Sequence, residues 1–392
     1  MLFFRYTIFM QWGISVRVRA FMTLVGTIIG AGLFAVPSIY LRLGLGRGVA
    51  LTLFLGAMLT FLSLMVAEAI LRTKGSMRLP GMVRLYLHPS LGTVQAISAV
   101  IGFWGALLAY LLLGGIFLSI LFSPFVSFPL WIWQLGFYIM CSIVVIAGIG
   151  FVGKMEFWVT SALIVTFVFF VARLLPHADI AGFSFDLHTQ FFSQYGVLLF
   201  ALYGSSAIAN VRDLLRHQET QIAPTILLGG FFATLLTTLF GVVVFAVSGQ
   251  GTTDDAINGL VPFLGPSVVA IGAILGVLAV STSFFSAGLY LRDMFRLDYH
   301  LSPVRSAIAA LGMPVVFFCS GVQQFLPILG LVGSFFGITD TILICRAYLV
   351  SRKKGARKPE FFLQVPTWGV NLFLLVFVSL SVCAVVARLV AR

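Results

Sequence analysis

Gly26-Thr27-Ile28-Ile29-Gly30-Ala31-Gly32-Leu33-Phe34-Ala35-Val36-Pro37 is the stretch on which the reading of this chain turns. It lies inside an apolar run long enough to cross a bilayer, which takes roughly 20 helical residues. Three glycines and a proline so close together are nevertheless a poor recipe for a continuous helix. In hydrocarbon each unpaired backbone group costs several kcal/mol, so a break at this depth stands only where it faces protein or a cavity. Gly26 and Gly30 also form a small-xxx-small face of the kind that packs helices closely. Composition alone leaves both readings open.

The setting is a chain of 392 residues, 60% hydrophobic and only 9% charged, with a mean hydropathy of +1.10. Soluble domains carry about 25% charged residues. A soluble enzyme, a disordered chain and a secreted disulfide scaffold are therefore excluded. The alternating segments of a β-barrel are not visible, which leaves an all-α polytopic membrane protein. Eleven segments fit a spanning helix: 20–43, 48–71, 92–122, 130–150, 155–175, 191–212, 221–248, 264–291, 303–320, 325–350 and 366–390. Residues 1–19 are expected as a cytoplasmic, interfacial lead-in. Their charges at Arg17 and Arg19 follow the apolar residues, the reverse of a secretory signal. Cys141, Cys319, Cys345 and Cys383 fall in apolar runs and are expected as buried free thiols.

A second interruption lies in the sixth span, Phe200-Ala201-Leu202-Tyr203-Gly204-Ser205-Ser206-Ala207-Ile208-Ala209-Asn210. Spans 1 and 6 are five apart, an odd number, so they start on opposite sides of the membrane. Residues 20–175 and 191–350 then form two inverted five-helix repeats, with 366–390 an added eleventh helix. Interrupted helices at matching positions of inverted halves point to a transporter's midplane site.

With the N-terminus placed in the cytoplasm, 19 of the 24 Lys and Arg fall on the inside. Only Arg42, Arg47, Arg173, Arg388 and Arg392 fall outside. This positive-inside bias supports that orientation, and an odd number of spans then puts the C-terminus outside. The net charge of +12 is accounted for by topology and anionic lipid, with no nucleic-acid partner.

The 26–37 stretch resembles the helix 1 signature of amino acid permeases of the amino acid–polyamine–organocation superfamily. Leu199-Phe200-Ala201-Leu202-Tyr203-Gly204-Ser205-Ser206 is similar to their unwound helix 6. Thr282-Ser283-Phe284-Phe285-Ser286-Ala287-Gly288-Leu289-Tyr290-Leu291-Arg292-Asp293 resembles helix 8 of the bacterial tyrosine and tryptophan permeases, which also have eleven spans. The resemblance implies a leucine-transporter-like fold in the plasma (inner) membrane. It also implies secondary active import of an amino acid by alternating access.

A free amino acid brings a carboxylate, an ammonium and a side chain. The half-helix that starts at Gly30-Ala31-Gly32 offers N–H donors and a favourable dipole end to the carboxylate. Glycine there lets backbone approach the ligand. The ammonium needs acceptors, which the resemblance assigns to the carbonyls of Ile28, Phe200 and Tyr203. Gly204 and Ser205 complete the substrate set. Ser205 and Ser206 stand where arginine-type exchangers of the superfamily place an acid, so a neutral substrate is expected. Phe200, Tyr203, Trp104 and Tyr110 are candidates for an aromatic lining.

Two acids, Glu68 and Asp340, are placed in spans away from the first turn. Glu68 reads either as an ion pair with Arg72 at i+4 or as part of a gate. Asp340 is a functional candidate by default; Ser334 or Thr341 on neighbouring turns would be its partners if it is structural. For the coupling ion, Ala279-Val280-Ser281-Thr282-Ser283 has the Ala-x-x-Thr-Ser spacing with which sodium-coupled relatives ligate sodium, completed by carbonyls of Gly26 and Ile29. Against it stands Lys154, since a Lys at this place in proton-coupled members sets its ammonium where sodium would sit. The plainer alternatives are that Lys154 snorkels to the interface beside Glu156 and that the hydroxyls bond carbonyls of their own helix. One cationic site cannot hold both, so proton coupling through Lys154 is the expectation, with sodium symport or amino acid exchange as alternatives.

A membrane-embedded enzyme would need a nucleophile, base or metal cluster, but His88, His177, His188, His217 and His300 show no such spacing. A channel would need a filter loop or charged ring, and neither is visible. The expected partners are a small-molecule substrate, a coupling ion and membrane lipid, with no cofactor and no metal. Oligomeric state is not legible.

Overall fold

The computed structural model of the chain describes residues 15–75, 77–179 and 191–390, with the side chains of residues 149, 150, 153, 154, 191–193 and 387–390 outside the described set. Most of the 1–19 lead-in therefore lies outside the described residues. The first long apolar run is split in two. Helix α1 (Val16–Ile28) stops where Ile29 leaves helical geometry at ψ 89°, Gly30 is extended at φ −132° and ψ −150°, and α2 (Ala31–Leu43) begins again. The two halves are bent by 48°. Pro37 lies inside α2, so the glycines make the break and the proline does not.

The elements that follow are α3 (Leu45–Leu71), α4 (Leu79–Tyr86), α5 (Pro89–Phe122), α6 (Leu130–Ala147) and α7 (Ile149–Leu174). The second half holds α8 (Phe191–Ala201), α9 (Ile208–Leu214), α10 (Ile222–Ser248), α11 (Val261–Leu297), α12 (Pro303–Cys319), α13 (Phe325–Lys354) and α14 (Thr367–Val390). No strand occurs among the described residues. Eight helices are long and apolar enough to cross a membrane, and the bent α1–α2 pair makes a ninth. The other two expected spans correspond to α12, which has 17 residues, and to the interrupted α8–α9 pair.

Two boundaries differ from expectation. Gly148 alone, at φ +95°, turns α6 into α7. A left-handed residue suits glycine and lets the reversal close without a loop. Lys154, expected just before that helix, consequently lies within α7, and Glu156 lies two turns along it instead of at its start. The short α4 was not foreseen; its Met82, Val83 and Tyr86 recur at helical spacing and pack with Ala69 of α3 and Leu343 and Ala347 of α13.

The interrupted helices sit side by side, α2 against α8 and α1 against α9. Helices α3 and α10 pack together, as do α5 with α11 and α13, and α11 with α7. Helix α14 packs on α8 and α13. Of the four cysteines, Cys141 and Cys345 are buried as expected, whereas Cys319 and Cys383 are exposed on the outer surface of their helices. Lipid and protein interior are equally apolar, so composition does not tell those faces apart.

Candidate substrate and ion site

The amides that open α2 have no preceding turn of their own helix to bond to. The residues that carry them border a cavity lined by Thr27, Ile28, Gly30, Ala31 and Gly32 from the first break and by Leu199, Phe200, Tyr203 and Ser206 from the second. The remaining wall comes from Gly102, Phe103, Ala106 and Tyr110 of α5, Ser283 and Ala287 of α11, and Val332, Gly333, Phe336 and Gly337 of α13. Phe103 lies across the ring of Phe336 at 5.6 Å, and Tyr203 lies edge-on to the same ring at 5.6 Å. The result is an aromatic chamber whose polar features are backbone groups and hydroxyls.

Six of the eight expected substrate residues are brought together there: Ile28, Gly30, Ala31, Gly32, Phe200 and Tyr203. Gly204 and Ser205 are not. Gly204 sits against the Ile28 side chain, where an added Cβ would lie 2.6 Å from Cγ1. The Ser205 hydroxyl is 3.4 Å from that of Ser63. Trp104 also points elsewhere, donating to the Ala309 carbonyl at 3.0 Å and packing on Phe317. Tyr110 is in the wall as expected, while Phe103, Phe336, Gly102 and Gly337 were not foreseen.

The glycines of the first break serve contact as well as ligand access. A Cβ on Gly32 would run into the backbone of Ala201, and one on Gly30 into the Ser283 hydroxyl, with the Ser283 Cβ at 2.8 Å.

Asp340 lies at the edge of a second cavity that shares Phe103, Tyr203, Ser206 and Phe336 with the first and also contains Arg78 and Tyr290. Its partners are not Ser334 or Thr341. Its carboxylate accepts from Gln95 Nε2 and from the Tyr203 hydroxyl. Arg78 lies 3.4 Å from Asp293 and 3.7 Å from Asp213, so it ties α9 to α11 beneath that cavity. Glu68 forms the expected pair with Arg72 at 2.7 Å. It also accepts from Tyr348 Oη at 3.2 Å and the Leu363 amide at 2.7 Å.

At the expected ion site, the Ser283 hydroxyl lies 3.3 Å from the Gly26 carbonyl and 3.2 Å from that of Thr27. Thr282 donates to the Ala279 carbonyl of its own helix at 2.9 Å. The Lys154 side chain is outside the described residues. Glu156 is buried within the protein. It is 5% exposed, with Thr23 donating to Oε2 at 3.2 Å and Ser286 to Oε1 at 2.5 Å.

Two interrupted helices meeting at an aromatic cavity within a bundle of apolar helices define a membrane transporter, not an enzyme. The chain belongs to the tryptophan/tyrosine permease family, whose profile matches residues 15–387. It is similar to the tyrosine-specific transport system 1 of Haemophilus influenzae, 24% identical over 382 residues that cover 91% of this chain and 92% of that one. Its fold is similar to that of MhsT in complex with L-phenylalanine, at TM-score 0.70 and 14% identity over 96% of this chain and 98% of that one. It is also similar to Mhp1, a nucleobase-cation-symport-1 family transporter in a closed conformation with bromovinylhydantoin bound, at TM-score 0.64 and 13% identity over 96% and 90%. The chain thus has the leucine-transporter fold of inverted repeats with broken first helices, and it is a multi-pass secondary transporter of amino acids.

Proposed function

We propose that the chain imports a neutral aromatic amino acid, tyrosine or tryptophan, by proton-coupled alternating access. The N-terminus is placed in the cytoplasm and the C-terminus outside the plasma (inner) membrane. The observation that carries the reading is the cavity between the two breaks, where Phe103, Tyr110, Phe200 and Phe336 surround the start of α2. In this reading the amides of Ala31 and Gly32 hold the substrate carboxylate. Carbonyls of Ile28, Phe200 and Tyr203 accept from the ammonium, and the aromatic wall takes the ring by offset and edge contacts. The relative named for tyrosine and the structural neighbour holding L-phenylalanine support the same substrate class.

Sodium symport is the second reading. It is favoured by the closeness of the Ser283 hydroxyl to the carbonyls of Gly26 and Thr27. The proton is preferred because α7 brings a buried acid to the inner half of the first broken helix. The test is uptake of labelled tyrosine and tryptophan by the purified protein in liposomes, under separate proton and sodium gradients. Accumulation that follows the proton gradient and ignores sodium is expected. Accumulation that requires sodium would make Thr282 and Ser283 ion ligands instead.

A further inference from the structure

We propose that Glu156, and not Lys154, is the group that carries the coupled proton. The inference rests on the proton-symport reading and names the site of that coupling.

Glu156 lies two turns into α7, and both of its carboxylate oxygens are occupied. Thr23 of α1 donates to one and Ser286 of α11 to the other. Both donors are neutral hydroxyls, and no ion pair among the described residues involves this acid. Burying an ionised carboxylate is costly, and a single proton removes that charge.

The network leads to the substrate cavity. Ser286 accepts from Thr27 at 2.9 Å, and Thr27 lines the cavity immediately before the break. Two hydrogen bonds therefore separate the acid from the chamber. Thr23 and Thr27 both belong to α1, so one half-helix senses the acid at one residue and the cavity at the next turn. When α1 moves away from α7 and α11, Glu156 loses both α1 links, the bond from Thr23 and the Thr27–Ser286 bridge, and meets water. That is the geometry by which a proton is released on the side where α1 opens.

Titratable groups on the elements packed around Glu156 are few. Helix α10 has none. On α1, Arg17 and Arg19 lie a turn or more nearer the helix start. On α6, Tyr138 donates to the Leu311 carbonyl and Cys141 to Ser281. On α11, Arg292 is held by the carbonyls of Val145 and Ile146 and lies 3.5 Å from Asp293, while Tyr290 lies under Arg78. Lys154 is the one titratable neighbour on α7 itself near the acid, and it is tested separately.

The experiment is tyrosine uptake by the full chain in liposomes, with an inward proton gradient of about one pH unit, which supports about tenfold accumulation per coupled proton. Glu156→Gln is nearly isosteric and keeps an acceptor. It is expected to lose that tenfold accumulation while retaining exchange of internal for external tyrosine, now independent of pH. Lys154→Ala is expected to keep gradient-driven accumulation. Wild-type accumulation by Glu156→Gln, or its loss in Lys154→Ala alone, would overturn the assignment. If the unmutated protein ignores the proton gradient, the symport reading fails and takes this assignment with it. If Glu156→Gln does not fold, Ser286→Ala is read instead. A shift in the pH midpoint of exchange is expected, and an unmoved midpoint overturns the proposal.

Discussion

The two broken helices solve the same problem with different materials. Between α1 and α2 the chain needs only Ile29 and Gly30 to change direction, and the missing side chains do the work. Ser283 and Ala201 occupy the space that Cβ atoms would need at Gly30 and Gly32. Between α8 and α9 the interruption is longer, running through Leu202, Tyr203 and Gly204 into a 3₁₀ turn at Ser205–Ala207. Side chains anchor it, with the Tyr203 hydroxyl on Asp340 of α13 and Ser205 near Ser63 of α3. The first break is thus set by sterics and tolerates almost no substitution. The second is set by polar links to neighbouring helices and should weaken by degrees.

The strongest test of that contrast is Gly32→Leu, which drives a side chain into the backbone of Ala201. Overpacking a core costs about 1–3 kcal/mol where neighbours can give way, and backbone cannot. Loss of tyrosine binding by calorimetry and a lowered melting temperature are expected, and normal affinity would show that the α2–α8 contact is dispensable. Gly30→Ala should be the milder of the two, because its obstacle is a side chain. Transport should return in part when it is combined with Ser283→Gly.

Tyr203→Phe comes next. It removes a hydrogen bond to a carboxylate, worth about 1.5–3 kcal/mol, while Gln95 still serves Asp340. A lower melting temperature with some uptake retained is expected; complete loss of uptake would mean that the second break is as intolerant as the first. Competition assays address the same acid from the cavity side. Excess arginine should not reduce tyrosine uptake, since Tyr203 and Gln95 occupy Asp340, and strong inhibition would show the carboxylate to be open to substrate.

The smallest effect concerns Asp298, beyond the end of α11. Burial raises this acid above the usual carboxylate range, while Arg78, Arg84 and the Gly81 amide pull it back only in part. A folded-state value above the unfolded one contributes stability at low pH that is lost as pH rises through it. Asp298→Asn should therefore melt slightly higher than the unmutated protein at neutral pH and no higher in acid. A lower melting temperature at neutral pH would show that the carboxylate's bond to Gly81 outweighs its burial.

Much of this architecture was legible because membrane helices must close their own backbone hydrogen bonds. Glycine runs at Gly26–Gly32 and Gly204 therefore announce where the rule is suspended. The cavity wall was only half visible. Gly102, Ala106 and Tyr110 recur every four residues along α5, and Gly333 and Gly337 do so on α13, a spacing that signals close packing. Trp104 lies on the same apolar helix, and nothing in an all-round apolar sequence says which face looks inward. Glu156 was read at the interfacial start of span 155–175 because a connector was assumed at 151–154, whereas Gly148 turns the chain alone and sets this acid two turns into α7. The partners of Asp340 lie 137 and 245 residues away in sequence, a distance that no local pattern spans.

The three-way grip on Glu68 has a consequence for how the chain is made. Its partners Tyr348 and Leu363 follow it by 280 and 295 residues. At the usual pace of synthesis the carboxylate waits about 15–60 s for the last of them. Arg72, one turn on, leaves the ribosome almost at once and can hold the acid while α3 enters the bilayer. The final helices then arrive at an acceptor already in position, so the last step of assembly is latched by a charge laid down near the first.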